Sequence, residues 1–131
     1  MTTYIDRTTL GQKFHSVLTQ GDWEGMRALL APTVSWVLPG DNAISGPADG
    51  RDAVVERVRL IAGYGVKFTL KHILLSRDNL AFAYHNTAER DGVRLDEQLA
   101  TVCRLGEDGL ITMIETYLSD VDGMNAFFKK I

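Results

Sequence analysis

Asn79-Leu-Ala-Phe-Ala-Tyr-His-Asn-Thr-Ala-Glu-Arg90 alternates apolar and polar side chains and ends at Asp91-Gly92. Period-two alternation marks a strand, and an Asp-Gly between two such runs is a strong hairpin signal. Val93 to Leu105 is the second run, closed by Gly106-Glu-Asp-Gly109, and Leu110 to Leu118 is the third. Three runs joined by tight turns make an antiparallel meander. Strands of ~10 or more residues twist and curl, so the concavity of such a sheet must be lined. The segments upstream are suited to line it. The expected fold is an α+β cone: a barrel of strongly curved antiparallel (mixed) sheet around three amino-terminal helices, with a short C-terminal helix.

Working outward, Leu10, Phe14, Val17 and Leu18 fall on one stripe of a helix over Thr8–Gln20. Gly21 suits the position just past its end, and Asp22 suits the cap of the next helix. That helix carries Trp23, Met26, Leu29 and Leu30 on one face, and Pro32 is expected to stop it. Thr33 to Leu38 is β-branched and aromatic, hence a strand, whereas Pro39 to Gly50 reads as a loop of about twelve residues. Asp49 is expected to cap a third helix with Val54, Val55, Val58 and Ile61 inward, ended by Gly63 or Gly65. Val66 to Arg77 alternates again, placing Val66, Phe68, Leu70, His72 and Leu74 on one face. Ser119-x-x-Asp122 has the form of a capping box for a last helix bearing Met124, Phe127 and Phe128.

The 131 residues suit one domain, 1–131, burying ~65% of the unfolded surface. A net charge of −3 with no Lys/Arg cluster argues against nucleic acid or an anionic membrane as partner. Cys103 is the single cysteine, so neither an internal disulfide nor a cysteine metal site is expected. Met1-Thr-Thr-Tyr-Ile-Asp-Arg7 has no apolar core of a signal peptide, and no run approaches the ~20 residues of a spanning helix. A cytoplasmic protein is expected.

Gly21-Asp-Trp-Glu-Gly-Met-Arg-Ala-Leu-Leu30, Thr33-Val-Ser-Trp36, Gly50-Arg-Asp-Ala-Val54, Asp108-Gly-Leu-Ile111 and Tyr117-Leu-Ser-Asp120 occur in that order. The series resembles the SnoaL-like, ketosteroid isomerase-like branch of the nuclear transport factor 2-like (cystatin-like) superfamily, over nearly the whole chain. The resemblance implies a conical α+β barrel, a homodimer through the outer sheet face and an apolar small-molecule ligand, with no cofactor or metal. Family chemistries do not carry over residue by residue. The ketosteroid isomerase base matches Trp36, its oxyanion-hole tyrosine matches Phe14, and its protonated aspartate matches Thr101. The histidine and acid of the polyketide cyclases match near Thr101 and Thr116.

Strand parity proposes another set. His72 is grouped with Phe68 and Leu70; Phe82, Tyr84, Asn86 and Ala88 share one face; Leu95, Glu97, Leu99, Thr101 and Cys103 share another. Such mixtures suit an apolar pocket with a few convergent polar groups. His72 among apolar neighbours stays neutral and is the expected base, with a carbonyl-bonded core histidine as the competing assignment. Glu97 between Leu95 and Leu99 is the expected acid, unless it pairs with Arg90 or Arg94 at a strand end. Tyr84 and Asn86 are expected to orient a substrate oxygen. Phe14, Trp36, Phe82 and Thr101 are expected to form pocket wall. Glu115 joins the pocket only if the last strand keeps the register counted from Ile111, which a β-bulge reverses. His85 is expected at the surface or an interface, and His15, next to Phe14 on the first helix, is expected to face solvent. Two function classes stay open: a cofactor-free acid–base enzyme (isomerase, cyclase, dehydratase or epoxide hydrolase type), or a non-catalytic domain binding a small molecule or peptide.

Overall fold

Curvature of one sheet places everything else. The computed structural model describes residues 3–130. Its strands are β1 (Leu30–Leu38), β2 (Gly46–Asp49), β3 (Lys67–Leu75), β4 (Leu80–Arg90), β5 (Val93–Leu105) and β6 (Ile111–Leu118). They form one six-stranded sheet in the order β2-β1-β6-β5-β4-β3. The β1–β6 pair is parallel and the rest are antiparallel, so the sheet is mixed. It stays open, with β2 and β3 as its two edges, and does not close into a full barrel. Helices α1 (Tyr4–Gln20), α2 (Trp23–Ala28) and α3 (Arg51–Gly63) pack with the sheet, and α4 (Val121–Phe127) follows β6. No described helix is long and apolar enough to cross a membrane.

Local chemistry explains the element ends. Thr3 and Asp6 form a reciprocal capping box that starts α1 four residues earlier than its apolar stripe suggests. Gly21, at φ 67°, ends α1 in the left-handed conformation that glycine adopts without strain. Asp22 caps α2 through the Gly25 amide at 2.9 Å, as its position implied. Pro32, however, does not end α2. It lies inside β1, exposed, within the stretch where the β1–β6 register slips between Leu30 and Ser35. A proline is tolerated there because no ladder bond is required of it.

The expected loop from Pro39 to Gly50 contains β2, which pairs only with β1 from Ser35↔Asp49 to Leu38↔Gly46. Strand pairing supplied from one side overrode the Gly and Pro content. Asp49 is not the cap of α3, since its carboxylate accepts from the Ser35 hydroxyl at 2.8 Å. Gly50 takes the cap position without a side-chain bond. At the other end of the chain Asp120 caps α4 through the Gly123 amide, leaving Ser119 free to bond Glu97.

Parity holds on β4 and β5. Leu80, Phe82 and Tyr84 are buried on β4, as are Leu95, Glu97 and Cys103 on β5, in facing register from Leu80↔Cys103 to Ala88↔Leu95. On β3 it fails halfway. Leu70 pairs with Tyr84 but His72 pairs with Ala83, so one extra residue, Lys71, is accommodated by a bulge. Beyond the bulge Ile73 faces inward against Gly11 of α1, while His72 turns to the outer face and is exposed. The last strand carries Ile114 and Thr116 inward, and Glu115 is exposed beside Tyr117.

Candidate functional site

The sheet, the three amino-terminal helices and α4 enclose a cavity of about 70 Å³. Phe14 and Leu18 of α1, Met26 of α2 and Val54, Val58 and Ile61 of α3 face the sheet across it. Ile44, Met124 and Phe128 line another part of its wall. One water needs roughly 10–15 Å³, so the space admits a small organic group. Its lining is almost entirely hydrocarbon, with Trp36, Tyr84, Asn86, Thr101 and Thr116 as the polar members.

Most of those polar groups satisfy one another. Trp36 donates from Nε1 to Thr116 Oγ1 at 3.0 Å, and Thr116 and Thr101 share a hydroxyl–hydroxyl bond at 3.2 Å. Arg57 of α3 sits 5.1 Å over the Trp36 ring and donates to the Gly46 carbonyl at 2.9 Å and the Ser45 carbonyl at 3.2 Å. This holds the indole against the strand. Tyr84 lies 2.9 Å from Nδ1 of His15. Burial and the nearby Cys103 push the Tyr84 phenol well up, so it keeps its proton. Burial lowers His15, so the imidazole is neutral at pH 7 and its Nδ1 shares one hydrogen bond with the Tyr84 hydroxyl.

The predicted residues separate into four groups. Phe14, Trp36, Tyr84, Asn86 and Thr101 line the cavity. Phe82 stands behind the wall, fully buried and stacked on Phe14 at 4.7 Å between ring centroids. Glu97 is inward and buried, with Oε2 accepting from Ser119 Oγ at 2.9 Å and from the Asp120 amide at 2.7 Å. Burial raises its pKa, against the pull of those two bonds. Glu97 therefore pairs with neither Arg90 nor Arg94. His72 and Glu115 do not join the cavity: the β3 bulge turns the first outward and the register of β6 does the same to the second. Cys103 is fully buried with its thiol pushed up to about 12 by desolvation, an inert hydrophobe.

His15 is the residue that sequence reasoning misplaced. Its signal was Gly11, one turn earlier on the same side of α1. A position without a side chain lets the helix approach Ile73, which carries His15 down onto β4. Thr116 escapes counting in twos from Ile111, because the β5–β6 register shifts between Arg104 and Leu105 and leaves Thr112 as an extra residue on β6. Among the described residues no three His, Cys, Asp or Glu side chains converge as metal ligands would.

Residues 12–114 match the SnoaL-like domain family. The chain belongs to that family. No curated protein matches it. This SnoaL-like domain superimposes on Bal32a, from a soil-derived mobile gene cassette, with a TM-score of 0.88 and 26% identity over 94% of this chain and 96% of that one. A protein of cystatin-like fold from Xanthomonas campestris gives 0.83 and 21% over 95% and 98%. RV0760c from Mycobacterium tuberculosis, solved in complex with estradiol-17beta-hemisuccinate, gives 0.70 and 23% over 85% and 92%. The SnoaL-like domain thus has the cystatin-like, nuclear transport factor 2-like fold.

Proposed function

We propose that this SnoaL-like domain binds an apolar small molecule inside the cone. The observation that carries the proposal is the cavity lining: hydrocarbon on nearly every side, with Trp36, Thr116 and Thr101 already bonded to each other. Such a wall gains little from water and gains from an apolar guest. The steroid ester bound by RV0760c shows that a protein of this fold holds a guest of that character.

A second function is favoured by one contact, the 2.9 Å pair of His15 and Tyr84. Tyr84 lines the cavity and stays protonated, and the neutral imidazole beside it can take the Tyr84 proton only as the phenol oxygen receives one from the guest. In this role the pair transfers a proton to or from the guest, as isomerisation, cyclisation, dehydration or epoxide opening requires. The base would then be His15 in place of His72. The assembly we propose is a homodimer through the outer face of the sheet.

Trp36 lies in the cavity wall, so its fluorescence reports occupancy. Titration with apolar ring compounds should quench or shift it, and Val58→Phe, which fills the cavity, should weaken binding at least tenfold. Unchanged affinity in Val58→Phe would move the guest elsewhere. For the catalytic role, His15→Gln and Tyr84→Phe should each lower turnover on an identified substrate by about 100-fold. Equal turnover in both variants leaves binding alone.

A further inference from the structure

Two residues directly opposed on β4 and β5 each carry a buried acceptor oxygen without a partner. Glu97 is 1% exposed; its Oε2 takes both bonds from Ser119 and Asp120, and its Oε1 has none. Asn86 is the residue directly opposite on β4, on the same inner face, and its Oδ1 is also buried and unpartnered. Facing residues of neighbouring strands have Cβ atoms about 4.5–5.5 Å apart, within hydrogen-bonding reach for a carboxyl and a carboxamide. Leaving both oxygens bare would cost the desolvation of each.

We propose that Glu97 is a neutral carboxylic acid whose Oε1–H donates to Asn86 Oδ1, so that the Asn86 NH₂ is held as the donor for the carbonyl oxygen of an apolar ligand. One proton satisfies both orphaned oxygens. It belongs on Oε1, because Oε2 already accepts two bonds. Asp120 is the charged group acting on Glu97 and opposes a second negative charge beside it, as burial does. Asn86 lines the cavity, where the hydroxyls of Tyr84, Thr101 and Thr116 and the Trp36 N–H already have partners. The guest class is then a ketone, ester or lactone on an apolar body. An ionised Glu97 would instead turn the Asn86 carboxamide over, its NH₂ donating to Oε1 and its Oδ1 presented to the cavity, and would select a donor such as an ammonium group. The inference deepens the cavity-binding function and rests on it.

Infrared spectroscopy at neutral pH tests the proton without any ligand. A protonated carboxyl band should vanish in Glu97→Gln and shift in Asn86→Leu; its absence from the wild type overturns the assignment. Trp36 fluorescence tests the ligand class with acetophenone, ethylbenzene and α-methylbenzylamine. Acetophenone should bind about 3- to 10-fold more tightly than ethylbenzene, the worth of one hydrogen bond. That preference should survive in Glu97→Gln, whose amide also donates to Asn86 Oδ1, and disappear in Asn86→Leu. A preference for the amine, or a ketone preference that persists in Asn86→Leu, overturns the proposal. Binding of none of the three overturns the cavity function and the carbonyl assignment with it, while the infrared band still decides the Glu97–Asn86 pair.

Discussion

Nδ1 of His15 on α1 lies 2.9 Å from the hydroxyl of Tyr84 on β4, tying the first helix to the middle of the sheet. Burial lowers the pKa of the imidazole below 6.5. As the pH falls, the unfolded chain therefore takes up this proton before the folded one does. His15 costs no stability above about pH 7 and lowers it progressively as the pH drops through the ordinary histidine value. Urea unfolding at about pH 7 and about pH 5 should show a larger acid loss in the wild type than in His15→Gln. Equal losses would show that the ring stays accessible to protons in the fold.

Arg7 is a clamp on the β3–β4 turn. It is 1% exposed, and its guanidinium donates to the carbonyls of Ser76 at 2.5 Å, Asn79 at 2.6 Å and Arg77 at 3.0 Å. Arg7→Met keeps much of the stem and deletes the donors, so stability should fall by about 2–4 kcal/mol. Arg7→Lys, lacking the planar fork, should recover only part of it. Chemical denaturation measures both, and an unchanged midpoint in Arg7→Met contradicts the clamp.

Gly11 sets the distance between α1 and β3. A Cβ built there would lie 3.0 Å from Ile73 Cδ1 and 3.1 Å from its Cγ2. Gly11→Leu should cost about 1–3 kcal/mol by overpacking, despite its better helix propensity. Adding Ile73→Ala should make the glycine replacement less costly than it is alone, a coupling that a double-mutant cycle reads. Strict additivity would mean that the two elements do not meet at this pair.

The outer sheet face carries Val102, 36% exposed, and Tyr117, 55% exposed, near Ala100. Apolar side chains on an open sheet face invite a partner. We expect sedimentation at micromolar concentration to give twice the monomer mass, and the double variant Val102→Asp, Tyr117→Lys to give the monomer. A wild-type monomer refutes the dimer.

The alternation of β4 and β5 was readable from the chain because both strands are long, bulge-free in their pairing with each other, and buried on one side only. Phe82, Tyr84, Asn86, Glu97 and Thr101 were therefore assigned to the inner face by counting in twos. The caps at Gly21 and Asp22 were equally local, since a left-handed glycine or a side-chain oxygen answers to its neighbours in sequence.

Tertiary structure decided what counting cannot reach. The bulge at Lys71 arises where β3 meets β4, and it reverses every residue after it, taking His72 out and bringing Ile73 in. The short strand β2 exists only because β1 offers it hydrogen bonds, and Pro32 is tolerated only because the β1–β6 register slips there. His15 reaches Tyr84 because a helix and a strand 69 positions apart pack closely. Side-chain period is a property of one element, whereas register, bulges and helix approach are set between elements. The inner face of the cone was thus written in the sequence, and the choice of His15 over His72 as its histidine was made only by packing.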